Sequence, residues 1–140
     1  MLHKVLSSAM IVSLIGATLL TGCASEFELS YKPAKTSHRA PAASAAAPVL
    51  IHSRDPNIDA KQLAREGYAL IGTSDFITGQ LATGPFEDSF YKDQAITQGT
   101  EIGAAIVLLQ VDYTDVLGDG CCARVFASYW ADLARQRAER

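Results

Sequence analysis

The sequence predicts an α+β domain: a small mixed β-sheet with one main helix packed on it, in the order β-α-β-α-β-β. Three patterns carry this. Ala105–Leu109 is a continuous apolar run, as a central strand requires. Residues 121–130 alternate, with Val125, Ala127 and Tyr129 opposite Arg124, Phe126, Ser128 and Trp130. Residues 87–102 place Tyr91, Ala95 and Ile102 at helical spacing, on one side.

The elements follow in order. Val49–Ser53 reads as a short strand. Asp59–Glu66 reads as a short helix, capped by Asp59 and ended by Gly67. Tyr68–Phe76 reads as a strand, with Tyr68, Leu70, Ser74 and Phe76 on one face and Ala69, Ile71 and Thr73 on the other. Gly79, Gly84 and Pro85 mark a loop. Glu87 and Asp88 then suit a helix N-terminus, Gly99 permits close approach to a sheet, and Gly103 suits the helix end. The apolar run continues as Val111 and Tyr113, alternating with Gln110 and Asp112. Gly118-Asp119-Gly120 turns into the last strand, Cys121–Trp130. Ala131–Arg140 is polar and helix-compatible, and is expected to fray.

Ahead of this domain, residues 1–22 have the layout of an export signal. A basic start at Lys4 precedes an uncharged apolar stretch of 16 residues, Val5–Leu20. That is shorter than the roughly 20 residues a bilayer-spanning helix needs. Leu20-Thr21-Gly22-Cys23 resembles the lipobox of bacterial lipoproteins. The resemblance implies cleavage before Cys23 and acylation of its thiol and new amine. Stable anchoring takes more than one acyl chain, a requirement such a cysteine meets. Ala24 rather than Asp follows, which by the sorting rule of enteric lipoproteins implies the outer membrane of a Gram-negative cell, facing the periplasm or the surface.

Residues 23–48 read as the lipidated cysteine and a disordered tether. Ala40–Pro48 contains only Ala, Pro and Ser, with nothing large to bury. As a spacer, 25 residues span about 25–30 Å coiled and roughly 75 Å as polyproline II. The other reading docks Glu26–Tyr31 on the domain as an extra strand. The domain itself, residues 49–140, carries eight basic and thirteen acidic side chains. The full chain has 12 Lys and Arg against 15 Asp and Glu, a net −3 that argues against nucleic-acid binding.

Candidate chemistry is sparse. Cys121 and Cys122 are adjacent, and three readings stay open: a strained vicinal disulfide, an intermolecular bridge, or unpaired thiols. His38 and His52 lack metal-ligand spacing, and Asp112, Asp115 and Asp119 miss the calcium-loop order, so neither a metal nor another cofactor is expected. No nucleophile elbow, Walker loop or dinucleotide fingerprint is present, which points away from an enzyme; Ser74-Asp75 with His52 is the nearest approach to a triad. The aromatic set Phe86, Phe90, Tyr91, Phe126, Tyr129 and Trp130 is mostly core. Arg124, Phe126 and Trp130 share a strand face, and an open face there is a partner surface.

Residues Gly67–Phe76, then Ala95 and Gly103–Leu109, then Tyr129-Trp130-Ala131, resemble a family of uncharacterised bacterial lipoproteins with a G-Y-x-x-I-G-x-S-x-F strand. The match covers roughly residues 65–131 and implies a fold rather than an activity. More distantly, the anchor, the Ala/Pro run, Pro48-Val49, the apolar strand and the cysteines after it are similar to the Rcs stress-sensor lipoproteins of enteric bacteria. That family carries four domain cysteines in two disulfides, against two adjacent ones here. The expected function is a non-enzymatic lipid-anchored envelope protein whose domain binds an envelope partner. The alternative is a redox-responsive stress sensor using Cys121 and Cys122.

Overall fold

The computed structural model describes residues 24–35, 46–78, 85–112 and 123–138. Its elements are α1 (Glu26–Leu29), β1 (Lys32–Pro33), β2 (Val49–His52), α2 (Pro56–Arg65), β3 (Tyr68–Thr78), α3 (Pro85–Glu101), β4 (Ile106–Asp112), β5 (Ala123–Asp132) and α4 (Leu133–Ala138). The five strands form one mixed sheet in the order β1-β3-β5-β4-β2. Among the described residues, β2 and β4 alone run parallel; β3–β5, β4–β5 and β1–β3 are antiparallel. The fold is α+β with a mixed sheet, as the patterning predicts.

The two faces bury two apolar layers. Val107, Leu109, Val125, Ala127 and Tyr129 point to one side and pack with Tyr91 and Ala95 of α3. Ile106, Leu108 and Trp130 point to the other and pack with Leu63 of α2. Strand β4 is apolar on both faces because it is covered on both, which explains its unbroken run. A Cβ at Gly99 would lie 2.6 Å from Val107, so α3 sits as close to the sheet as a side chain's absence allows. At its end Ala104 N–H bonds the Gly99 carbonyl at 2.8 Å, with Gly103 at a φ of 74° closing the turn.

Four expectations are corrected. Helix α2 starts at Pro56, not Asp59. Its cap is Asp55, whose Oδ1 accepts from the N–H groups of Asn57 and Ile58 at 3.0 and 3.2 Å. Proline at the first helical position costs no hydrogen bond there. Asp59 instead accepts the Ser53 hydroxyl at 2.5 Å, tying the helix to the end of β2.

Strand β3 does not keep one parity. Leu70 pairs with Trp130 but Gly72 with Tyr129, so the ladder shifts at Ile71. One extra residue flips every side chain after it. Tyr68 and Leu70 therefore join the α2 layer, while Phe76 packs in the α3 layer and Ser74 is buried beneath α1.

The last strand runs on to Asp132, and Ala131 is buried. Beyond it α4 is formed rather than frayed, with Asp132 Oδ1 accepting from Ala134 N–H at 2.9 Å.

The fourth correction is the largest. Residues 25–34, assigned to the tether, are part of the domain. Ser25 caps α1, its hydroxyl accepting from Glu28 N–H at 3.2 Å. Phe27 is completely buried and meets Phe76 edge-on, with centroids 4.9 Å apart. Burying such a ring is worth about 1.5–3 kcal/mol. Tyr31 stacks edge-on against Tyr129 at 5.8 Å and donates its hydroxyl to the Ile71 carbonyl at 3.0 Å. Ala34 N–H bonds the same carbonyl at 3.0 Å. Glu26–Tyr31 thus docks on the domain, but as a helical turn and not as the extra strand; the added strand is β1, the two residues that follow.

Candidate functional site

The site is built from the half of the sheet that α2 leaves bare. A helix of ten residues is about 15 Å long, while the eleven residues of β3 extend over about 36 Å. Helix α2 covers Tyr68, Leu70, Ile106, Leu108 and Trp130. Along the same face, the strand parity next presents Thr73, Asp75 and Ile77 on β3, Ser128, Phe126 and Arg124 on β5, and Gln110 and Asp112 on β4. The change from apolar to polar residues along each strand coincides with the end of the helix cover.

Register fixes the neighbours. Phe126 stands between Asp75 and Gln110, and Arg124 between Ile77 and Asp112. Arg124 reaches diagonally to Asp75, with Nε to Oδ1 at 3.0 Å and Nη2 to Oδ2 at 2.7 Å. This two-bond pairing orients the planar guanidinium against the carboxylate. The hydrogen bond from Arg124 holds the Asp75 carboxyl below its ordinary range, helped by the charges of Arg124 and Lys32 and opposed by partial desolvation. Both side chains remain open to water, at 60% and 41% exposure.

The turn from β2 into α2 supplies the other wall. Arg54, Asp55 and Asn57 face Asp75, Gln110, Asp112, Arg124 and Phe126 across an open groove of about 480 Å³. The groove combines an aromatic floor with charges of both signs at its rim. Such a lining suits recognition of a polar protein segment with one apolar anchor residue.

Of the surface residues inferred from sequence, Arg124 and Phe126 lie in this groove, but Trp130 does not. Its indole is 6% exposed beneath Leu63, and its Nε1 donates to Ser128 Oγ at 2.9 Å. Trp130 is core because α2 covers that end of the shared face. Cys23, Cys121 and Cys122, the lipidation and disulfide candidates, lie outside the described residues, as do Asp115, Asp119 and His38. The side chains of Phe86, Glu87, Asp88 and Phe90 are likewise outside them.

The triad fragment comes apart. Ser74 and Asp75 point to opposite faces, and β5 and β4 separate them from His52 on β2. The Ser74 hydroxyl donates instead to the Phe27 carbonyl at 2.7 Å and lies 3.1 Å from the Tyr129 hydroxyl. Among the described residues no group of three or more His, Cys, Asp or Glu is placed to hold a metal ion. Within the same residues, no helix is long and apolar enough to cross a membrane.

Sequence reasoning missed Asp75, Gln110 and Asp112 as members of the site. Their alternation is visible in the sequence; that they share a face with Phe126 depends on the β3 bulge and the strand order. Comparison of the chain with protein-family models, with curated proteins and with solved structures finds no match.

Proposed function

We propose that the protein is a lipid-anchored component of the outer membrane whose α+β domain binds an envelope protein through the open half of its sheet. The anchor rests on the basic start, the apolar stretch and Leu20-Thr21-Gly22-Cys23. The observation that carries the binding role is the groove around Phe126, where the Arg124–Asp75 pair is left uncovered beside an aromatic ring. The pair is oriented by two hydrogen bonds without being buried, so a partner meets charges already aligned with one another.

Site-specific photo-crosslinking in intact cells tests this. A photoreactive residue at Gln110 should give one discrete envelope-protein adduct, and charge reversal at Arg124 should weaken it several-fold. The same probe at Val49, exposed at the start of β2 and opposite Ile106 at the far end of the strand from the groove, should not give that adduct. If Gln110 labels only lipid or nothing, or if Arg124 reversal leaves the adduct unchanged, the groove is not the binding surface.

A further inference from the structure

We infer that the lipid anchor is clamped to the domain, so that the folded body lies against the bilayer at its α1 end instead of floating on a leash. This inference rests on the lipid-anchor reading of Cys23.

Only Ala24 separates Cys23 from Ser25, the residue that caps α1. Two residues of chain reach about 7 Å. Residues 25–34 are held to the sheet as one strap. Leu29 N–H bonds the Ser25 carbonyl at 3.0 Å, Phe27 has no exposed surface, and its carbonyl takes the Ser74 hydroxyl at 2.7 Å. Tyr31 closes over Gly72, filling the space that a Cβ there would need. The acyl chains would therefore enter the membrane within a few ångströms of a rigid surface. A leash of 25 residues would instead permit tens of ångströms.

The Ala/Pro run takes on a different role. Strand β1 is at one edge of the sheet and β2 at the other, four strand spacings or about 19 Å apart. The chain between them joins two edges of one folded unit. It lies after the clamp, so its length does not set the distance of the domain from the membrane. On the outer side of the clamp Leu29 is 74% exposed, an apolar side chain six positions from the anchor. A lipid surface is the partner that gives it cover. Glu26 and Glu28 sit on the same turn, so the apposition depends on acyl chains and not on attraction to anionic head groups.

The test uses the full lipidated protein in phosphatidylethanolamine vesicles, with energy transfer from its single tryptophan, Trp130, to a dansyl head-group acceptor. Twenty Gly/Ser residues inserted between Ala43 and Ser44 should leave transfer unchanged. The same twenty inserted between Ala24 and Ser25 should reduce it several-fold. Raising the salt should change neither result. Equal losses from both insertions, or a loss confined to the Ala43 insertion, would overturn the clamp. If the unmodified protein fails to float with the vesicles, it is the lipid-anchor reading that falls. Flotation with tether-like transfer rejects the clamp alone.

Discussion

Ser74 donates its hydroxyl to the backbone carbonyl of Phe27 at 2.7 Å, across 47 positions of sequence. This buried bond and the ring of Phe27 together weld the N-terminal strap to the sheet. The strap is thereby a structural part of the domain, and its removal should cost stability. Phe27→Ala removes a fully buried ring that packs on Phe76, and truncations of this kind cost about 3–5 kcal/mol. Leu29→Ala, two residues on and exposed, should stay within about 0.5 kcal/mol of the wild type. Urea unfolding of the soluble domain from residue 24 measures both; equal midpoints for the two variants would show the strap undocked.

Gly72 and Tyr31 form a second coupled pair. A Cβ at position 72 would lie 2.3–2.5 Å from the tyrosine ring. Gly72→Ala should therefore expel Tyr31 from Tyr129 and break its bond to the Ile71 carbonyl, at a cost of about 1–3 kcal/mol. In a Tyr31→Ala background the same substitution should cost much less. A double-mutant cycle reads the difference; additive effects would mean the two residues do not meet.

The strap also shows where sequence patterning reaches its limit. The signals were there: Ser25-x-x-Glu28 fits a capping box, and Phe27 and Tyr31 stand four apart, the spacing of one helical face. Two aromatics are too few to announce a core-facing segment until the pocket that receives them is known, and that pocket forms from Phe76, Tyr129 and Gly72, more than 40 positions away. The central strands were legible because burial on one or both faces writes a period into the sequence itself. The β3 bulge was only hinted at: Gly72 within the strand fits either a bulge or a close approach, and the partner Trp130-Tyr129 is needed to show that the register shifts there. The groove inherits that limit. Arg124 and Phe126 were readable as face-mates by alternation, whereas α2's length and position decide where the open face ends and why Trp130 falls on the covered side.

That boundary predicts opposite phenotypes for two aromatics on one strand face. Trp130→Ala empties the layer beneath Leu63 and should destabilise the domain by about 3–5 kcal/mol. Phe126→Ala, only half-buried and flanked by polar side chains, should cost less than half as much while reducing the Gln110 crosslink several-fold. Arg124→Ala should resemble Phe126→Ala in the crosslink. It should shift stability by at most about 1 kcal/mol, because both partners of its ion pair are exposed. Chemical denaturation beside the crosslinking yield separates the two roles. A crosslink lost only in proportion to folded protein would assign Phe126 to the core.

Tyr129 predicts how the domain responds to alkali. Burial pushes its phenol well above the ordinary value of 10.0, with the bond to Ser74 opposing. Tyr31 is raised too, also by burial. Below pH 10 both the folded and unfolded chains keep these protons, so stability is unaffected. Above pH 10 the unfolded chain releases them and the folded chain retains them. The folded state then binds more protons, and stability falls as pH rises, by up to about 1.4 kcal/mol per pH unit for Tyr129, with Tyr31 acting in the same direction. Between pH 9 and pH 11 Tyr129 alone should remove about 1.4 kcal/mol. Tyr129→Phe starts from a lower stability, having lost the hydroxyl contact with Ser74, but should show a shallower alkaline decline by that amount. Urea midpoints of both proteins at pH 7, 9, 10 and 11 supply the comparison. Parallel declines would mean that the Tyr129 hydroxyl reaches water, and with it that the strap does not close over the sheet.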